Sequence, residues 1–97
     1  MKAYYVAELR ITDREKYAAV RARFPDVFQK YNGTVLAADS DFEVLDGKRG
    51  GNRVVIIEFP SAEELRRWYF SAEYQETVKL RKTAADANII LVHGIQN

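Results

Sequence analysis

The sequence predicts an α+β fold: one antiparallel sheet of four strands, interleaved with helical segments in the order β-α-β-β-α-β. Three observations predict it. Val54-Val55-Ile56-Ile57 is a strand core apolar on both faces, and it runs through Pro60 into a capped amphipathic helix, with a second helix start at Ser71. A strand-like stretch followed by a helical one opens the chain, from Ala3 to Tyr31. A further apolar strand, Ile89-Ile90-Leu91-Val92, closes it. This order is the split-βαβ or ferredoxin-like arrangement, and residues 1–97 make one domain without internal linkers or low-complexity segments.

Ala3–Ile11 is rich in Tyr, Val and Ile, which suit a pleated, half-buried surface. Thr12-Asp13-Arg14-Glu15 has the spacing of a capping box, with Thr12 as the cap. Tyr17, Val20, Phe24, Val27, Phe28 and Tyr31 then recur at three- and four-residue intervals and mark one apolar helical face. Pro25 lies inside that pattern and is expected to kink the helix without ending it. Asn32-Gly33 is the expected stop, with Gly33 in the left-handed conformation.

Residues 34–46 read as extended, either one bent strand or two short pieces, with a break at Asp39-Ser40-Asp41. Gly47-Lys48-Arg49-Gly50-Gly51-Asn52 has turn chemistry, so residues 53–59 return as the second arm of a hairpin. Its basic, glycine-rich character does not make a phosphate loop, because the terminal Lys-Ser/Thr is missing and it joins strand to strand. Ser61-Ala62-Glu63-Glu64 is a second capping box, and Leu65, Trp68 and Tyr69 give the next helix its apolar stripe. Ser71 caps another helical piece carrying Tyr74, Val78 and Ala85, and residues 88–94 form the last strand.

Helices in this arrangement cover one face of the sheet, so its strands should alternate apolar and polar. Val54–Ile57 and Ile89–Val92 do not alternate. The second face therefore calls for cover, and a second copy packed sheet to sheet, a homodimer, is the simplest partner.

Composition narrows the function classes. At 97 residues the chain supports one compact core, and 47% apolar with 30% charged residues is an ordinary soluble composition. A net charge of +1 does not suit a nucleic-acid-binding domain. The absence of cysteine removes disulfides, thiolate catalysis and thiolate metal ligands. Charges at Glu8 and Arg10 interrupt the N-terminal stretch, and no apolar run reaches membrane-spanning length, so a cytoplasmic protein without a membrane role is expected. A single histidine and the Asp39/Asp41 pair supply too few ligands for a metal site, and no cofactor is expected.

Val44-Leu45-Asp46-Gly47, Ile57-Glu58-Phe59-Pro60-Ser61, Trp68-Tyr69, Ser71-Ala72-Glu73-Tyr74-Gln75 and Leu80-Arg81 together resemble a known family. This is the domain-of-unknown-function family 1330, and the likeness runs from Tyr5 to Gly94. It implies a ferredoxin-like fold assembled as a dimeric α+β barrel, and it implies no activity. Two positions depart from the family's pattern. Asn32-Gly33-Thr34 stands where Gly-Gly-Arg is commoner, and His93 stands where an acidic residue is commoner.

Two sets of residues are candidates for chemistry. With the first and third strands read as parallel neighbours, Glu8 and Glu58 fall near the same end of the sheet. Two carboxylates converging in an apolar cavity inside a dimer would give a general acid or base of raised pKa; the alternative is that each pairs with an arginine or lies at an exposed strand end. His93 would suit proton transfer at neutral pH, or lie solvated at its strand end. The second set is Tyr5, Trp68, Tyr69, Tyr74 and Arg81, with Tyr4 beside them, as a ligand site. There Arg81 either grips a ligand carboxylate in its bidentate fork or ties to an acidic side chain or a helix-end carbonyl.

Three function classes follow. The leading one is a small dimeric protein that binds a small organic molecule between sheet and helices. The others are a cofactor-free enzyme, resembling a monooxygenase or isomerase, with Glu58 as acid or base, and a non-catalytic structural or sensor dimer.

Overall fold

The computed structural model of the chain describes residues 1–95, apart from the side chains of residues 25–27 in the first helix. Strand β1 (Ala3–Ile11) leads to helix α1 (Arg14–Phe28), extended by a 3₁₀ turn at Gln29–Tyr31. Strands β2 (Thr34–Asp39) and β3 (Arg53–Phe59) follow, then helices α2 (Ala62–Tyr69) and α3 (Ala72–Ala84) and strand β4 (Ala85–His93). The sheet order is β2-β3-β1-β4, and every neighbouring pair is antiparallel. This is the α+β, ferredoxin-like arrangement expected from the sequence.

One expectation within it fails. β1 and β3 are antiparallel, with Glu8 opposite Val54 and Tyr4 opposite Glu58. The reason is the crossover: β1 and β2 run the same way, and β3 lies between them pairing with both.

The helices cover one sheet face. Along β1, Ala3, Tyr5, Ala7 and Leu9 are buried beneath them, and along β3 so are Arg53, Val55, Ile57 and Phe59. Tyr4, Val6 and Glu8 on β1, and Val54, Ile56 and Glu58 on β3, face the other way and are half-buried. Ile90 and Val92 of β4 share that open face and are 58% and 40% exposed. The chain is a slab only 16 Å thick against 36 × 35 Å across, two layers with one sheet face uncovered.

Local chemistry sets the boundaries, sometimes differently from the sequence reading. Asp13, rather than Thr12, caps α1, its carboxylate accepting from the amide of Lys16 at 3.1 Å. Thr12 is committed elsewhere: its amide and hydroxyl both donate to the carbonyl of Ala84, at 2.8 and 3.2 Å. α1 continues through Pro25, and the expected apolar contribution of Val27 falls outside the described side chains.

The left-handed residue after Tyr31 is Asn32, with φ of 63°. Gly33 is needed for space, since a Cβ there would sit 2.9 Å from the Phe59 ring and 3.0 Å from Phe28. Ser61 and Ser71 cap α2 and α3 as expected, accepting from the amides of Glu64 and Tyr74. Glu64 does not complete a reciprocal box; its carboxylate pairs with Arg67 at 2.8 Å.

Of residues 34–46 only the part before the expected break is a strand. Asp39 turns its carboxylate onto the Asp41 amide at 2.7 Å, and residues 40–52 form an irregular connection. That connection closes on β1, where Gly50 packs on the Glu8 carboxylate and Gly51 lies too close to the Leu9 carbonyl for any Cβ. β4 starts earlier than expected. Ala85 is its first residue and pairs with Ile11, so α3 passes into β4 with no loop. No helix among the described residues is long and apolar enough to cross a membrane.

Candidate functional site

An aromatic cluster fills the space between α2, α3 and the covered face of β1. Trp68 is fully buried at its centre. Its indole stacks on Phe59 with ring centroids 5.2 Å apart, lies 4.3 Å from Tyr74, and meets Tyr5 edge to face at 5.2 Å. Tyr69, the next residue along α2, is rotated about 100° from Trp68 and stays half-buried, with Tyr74 at 5.6 Å and Tyr5 at 6.4 Å. Ser71 fixes the break between the helices. It caps α3 and donates its hydroxyl to the Trp68 carbonyl at 2.7 Å, while Gln75 ties back to the Tyr69 carbonyl, also at 2.7 Å. Two short helices meeting at a corner thus present Trp68, Tyr69 and Tyr74 to one place.

Arg81 completes the group from the last turn of α3. It is 7% exposed, yet its Nε and Nη1 have no hydrogen-bond partner, and no ion pair among the described residues includes it. Neither the acidic side chain nor the helix-end carbonyl weighed as its partner is supplied by a described residue. Its neighbours are Tyr69, Tyr74 and Tyr5. Burial opposes its charge, but the phenols of Tyr69, Tyr74 and Tyr5 outweigh that and hold its pKa above the ordinary value.

Burial pushes the Tyr74 phenol up to about 12 and the Tyr5 phenol well above its ordinary value, so both are neutral donors at physiological pH. A buried guanidinium without a counter-ion is costly unless its charge is satisfied. Three phenol oxygens soften that cost, and two unpartnered donor atoms leave it incomplete.

Beside this group, between α2 and β4, lies a cavity of about 340 Å³ lined by Tyr5, Leu65, Tyr69, Phe70, Ile89 and Leu91, with His93 at its edge. Its wall is apolar apart from the phenols, His93 and Arg66. Arg81 stands behind Tyr5 and Tyr69 and is not part of the wall. The expected ligand set, Tyr5, Trp68, Tyr69, Tyr74 and Arg81, is therefore brought together, with half-buried Tyr69 and the buried Tyr5 in the cavity wall and the others behind them. Tyr4 separates from the set, facing the open side of the sheet.

The carboxylates do not come together. Glu8 and Glu58 share the open face but lie four residues apart along β1, position 8 against position 4, or about 13 Å. The Glu58 carboxylate is 3.3 Å from the Lys2 ammonium, whereas Glu8 packs on Gly50. The convergence expected of them fails because the strands are antiparallel. His93, opposite Ala3 at the other end of β1 from Glu8, is remote from it as well.

Sequence reasoning did not find Leu65, Phe70, Ile89 and Leu91 as cavity wall, nor Arg53 as a buried charge. Arg53 was legible: it is in phase with Val55, Ile57 and Phe59, so period-two alternation turns it under the helices.

Residues 2–95 match the model of a family described as a domain of unknown function, DUF1330. No curated protein matches the chain. A protein of unknown function from Rhodopseudomonas palustris is similar in structure, with a TM-score of 0.79 and 23% identity over 99% of this chain and 84% of that one. SnoaB, a cofactor-independent oxygenase from Streptomyces nogalater, has a TM-score of 0.68 and 14% identity over 99% and 95% of the two chains. A dimeric protein of unknown function with a ferredoxin-like fold, from Bacteroides fragilis, has a TM-score of 0.57 and 11% identity over 96% of each chain. At these identities the likenesses establish the fold.

Proposed function

This chain belongs to the DUF1330 family, whose description names no activity, and from its own geometry we propose that it binds a small, largely apolar organic molecule bearing an anionic oxygen. The observation that carries the reading is the buried Arg81 guanidinium, with two unpartnered nitrogens, behind tyrosines that line a cavity of about 340 Å³. A phenol that accepts from a guanidinium donates its own proton more strongly, because linked hydrogen bonds polarise one another. With Tyr69 and Tyr5 in the cavity wall, the charge of Arg81 would reach a ligand oxygen through them, while Leu65, Phe70, Ile89 and Leu91 would bury the apolar remainder.

The chain contains one tryptophan, at the centre of the cluster, which supplies the test. Titration with benzoate and 1-naphthoate should change Trp68 fluorescence saturably, and Arg81→Met and Tyr69→Phe should each weaken binding about tenfold or more, the effect of losing one charge-assisted hydrogen bond. No saturable response, or equal affinity in wild type and Arg81→Met, would overturn the reading.

The second part of the proposal is a homodimer through the open sheet face. Val6, Val54, Ile56, Ile90 and Val92 make that face apolar at its centre, while Glu8 and Glu58 sit toward opposite ends. A two-fold partner would cover this surface, which is more apolar than a solvated antiparallel face. The dimeric Bacteroides fragilis protein of similar fold agrees with it.

A cofactor-free enzyme is the second reading, favoured by His93 at the edge of the same cavity. The oxygenase SnoaB has a similar fold. Glu58 lies on the other side of the sheet and would act only within the dimer interior. Loss of turnover in His93→Gln with retained ligand affinity is the result that distinguishes catalysis from binding.

A further inference from the structure

At the far end of the sheet from His93, a second cavity of about 320 Å³ opens between α1 and the start of β3, lined by Arg14, Tyr17, Arg21, Ser40, Asn52 and Arg53. Arg53 lies in its floor, 9% exposed; its Nη1 donates to the Ser40 hydroxyl at 2.9 Å and its Nε has no partner. Arg14 and Arg21 stand seven residues apart on α1, two turns along one face, with Tyr17 between them. No carboxylate lines the cavity among the described residues, and none of the ion pairs among them involves Arg14, Arg21 or Arg53. Arg14 also sits in the first turn of α1, where the helix dipole disfavours a cation and favours an anion.

We propose that this cavity binds the phosphate group of a small phosphomonoester, at a site separate from the Arg81 cavity and not dependent on it. A flat carboxylate is satisfied by one guanidinium fork. Guanidinium groups approaching from both α1 and β3, with no carboxylate in the lining, match a tetrahedral dianion whose oxygens point in several directions. Asn52 is anchored by its amide, which bridges the backbone of Ile11, accepting at 2.8 Å and donating at 3.2 Å, and leaves one N–H free. It holds the rim of the cavity in place.

The rest of the molecule has its own place. A groove of about 190 Å³ shares Tyr17, Arg21 and Arg53 with the cavity and continues over Phe24, Phe28 and Val35. A phosphate held by the arginines would direct an attached apolar or aromatic group into that groove, so an aryl phosphate suits the site better than inorganic phosphate.

Calorimetric titration with phenyl phosphate, followed by amide chemical shifts, tests this directly. Phenyl phosphate should bind at least about tenfold more tightly than inorganic phosphate, with shifts centred on Tyr17, Ser40 and Arg53. Arg21→Gln, an exposed position that leaves folding intact, should weaken it about tenfold, and Arg81→Met should leave it unchanged. Absence of saturable binding, an unchanged affinity in Arg21→Gln, or shifts centred on Tyr5 and Tyr69 would overturn the proposal.

Discussion

The hydroxyl of Ser71 donates to the carbonyl of Trp68 at 2.7 Å while it accepts from the amide of Tyr74 at 3.1 Å. One side chain therefore closes the end of α2 and opens α3, and it sets the angle at which two aromatic residues of the cavity region meet. Ser71→Ala removes a helix cap and should lower stability by about 1–2 kcal/mol in urea unfolding. It should also change the near-ultraviolet circular dichroism, because Trp68 and Tyr74 lose their shared tether. Ser61→Ala, which removes only a cap, should match the stability loss without the spectral change.

Arg81→Met separates stability from binding. Replacing a buried, incompletely satisfied guanidinium with an apolar side chain of similar length is expected to be neutral or stabilising. The variant should therefore unfold at the same or higher urea concentration than wild type while losing the carboxylate affinity described above. A large loss of stability would show instead that Arg81 is a structural post.

Gly33→Ala should cost about 1–3 kcal/mol, because the added methyl meets the rings of Phe59 and Phe28 at 2.9 and 3.0 Å. The matching change Asn32→Gly should be neutral or mildly stabilising, since Asn32 carries the positive φ. Paired urea midpoints test whether packing or backbone geometry dictates this turn.

Alkaline pH should unfold the protein through its buried phenols. Tyr74 has its pKa raised from 10.0 to about 12, and Tyr5 is raised in the same direction, so folding favours the neutral forms. Below pH 10 both folded and unfolded states hold these protons and stability does not respond. Between about 10 and 12 the unfolded chain ionises first, and stability falls by roughly 2–3 kcal/mol for Tyr74 alone. Urea midpoints across that window, together with tyrosinate absorbance, would show exposed tyrosines titrating first and the buried ones only as the fold is lost.

Ile90→Lys places a charge on the open face, where Ile90 is 58% exposed, and should leave the folded protomer intact while dissociating the proposed dimer. Sedimentation equilibrium of the two proteins reads the difference. A monomeric wild type, or a variant that stays dimeric, would rule out this face as the interface.

Much of the fold is legible because its signals are local. Ser61 and Ser71 announce their helices one residue ahead, and Val54–Ile57 announces both a strand and an uncovered face. What sequence reading misses depends on partners distant in the chain. Thr12 looks like a cap but is drawn away by the Ala84 carbonyl. The alanine-rich stretch at 84–87 has helical propensity, yet it becomes strand from Ala85 because Ile11 and Arg10 offer β1's free edge. Tyr74 and Arg81 are seven residues apart, so helical phase puts them on one face of α3, and strand alternation turns Tyr5 of β1 toward the helices; the separation of Glu8 from Glu58 required the direction of β3.

Placing β1 inside the sheet, between β3 and β4, also orders events during synthesis. Of the four strands of this sheet, β1 is made before the others and its second edge waits for β4. Until residues 85–93 have left the ribosome, β1 offers unpaired amides and carbonyls beside an apolar surface, the combination that recruits stray strands. Once β4 docks, the carbonyl of Ala84 takes up the amides of Thr12 and Asp13, so arrival of the final strand also locks the entrance to the first helix. A chain lacking β4 should therefore aggregate more readily than one that has it, even though its helices and the β1–β3–β2 pairing are all encoded upstream.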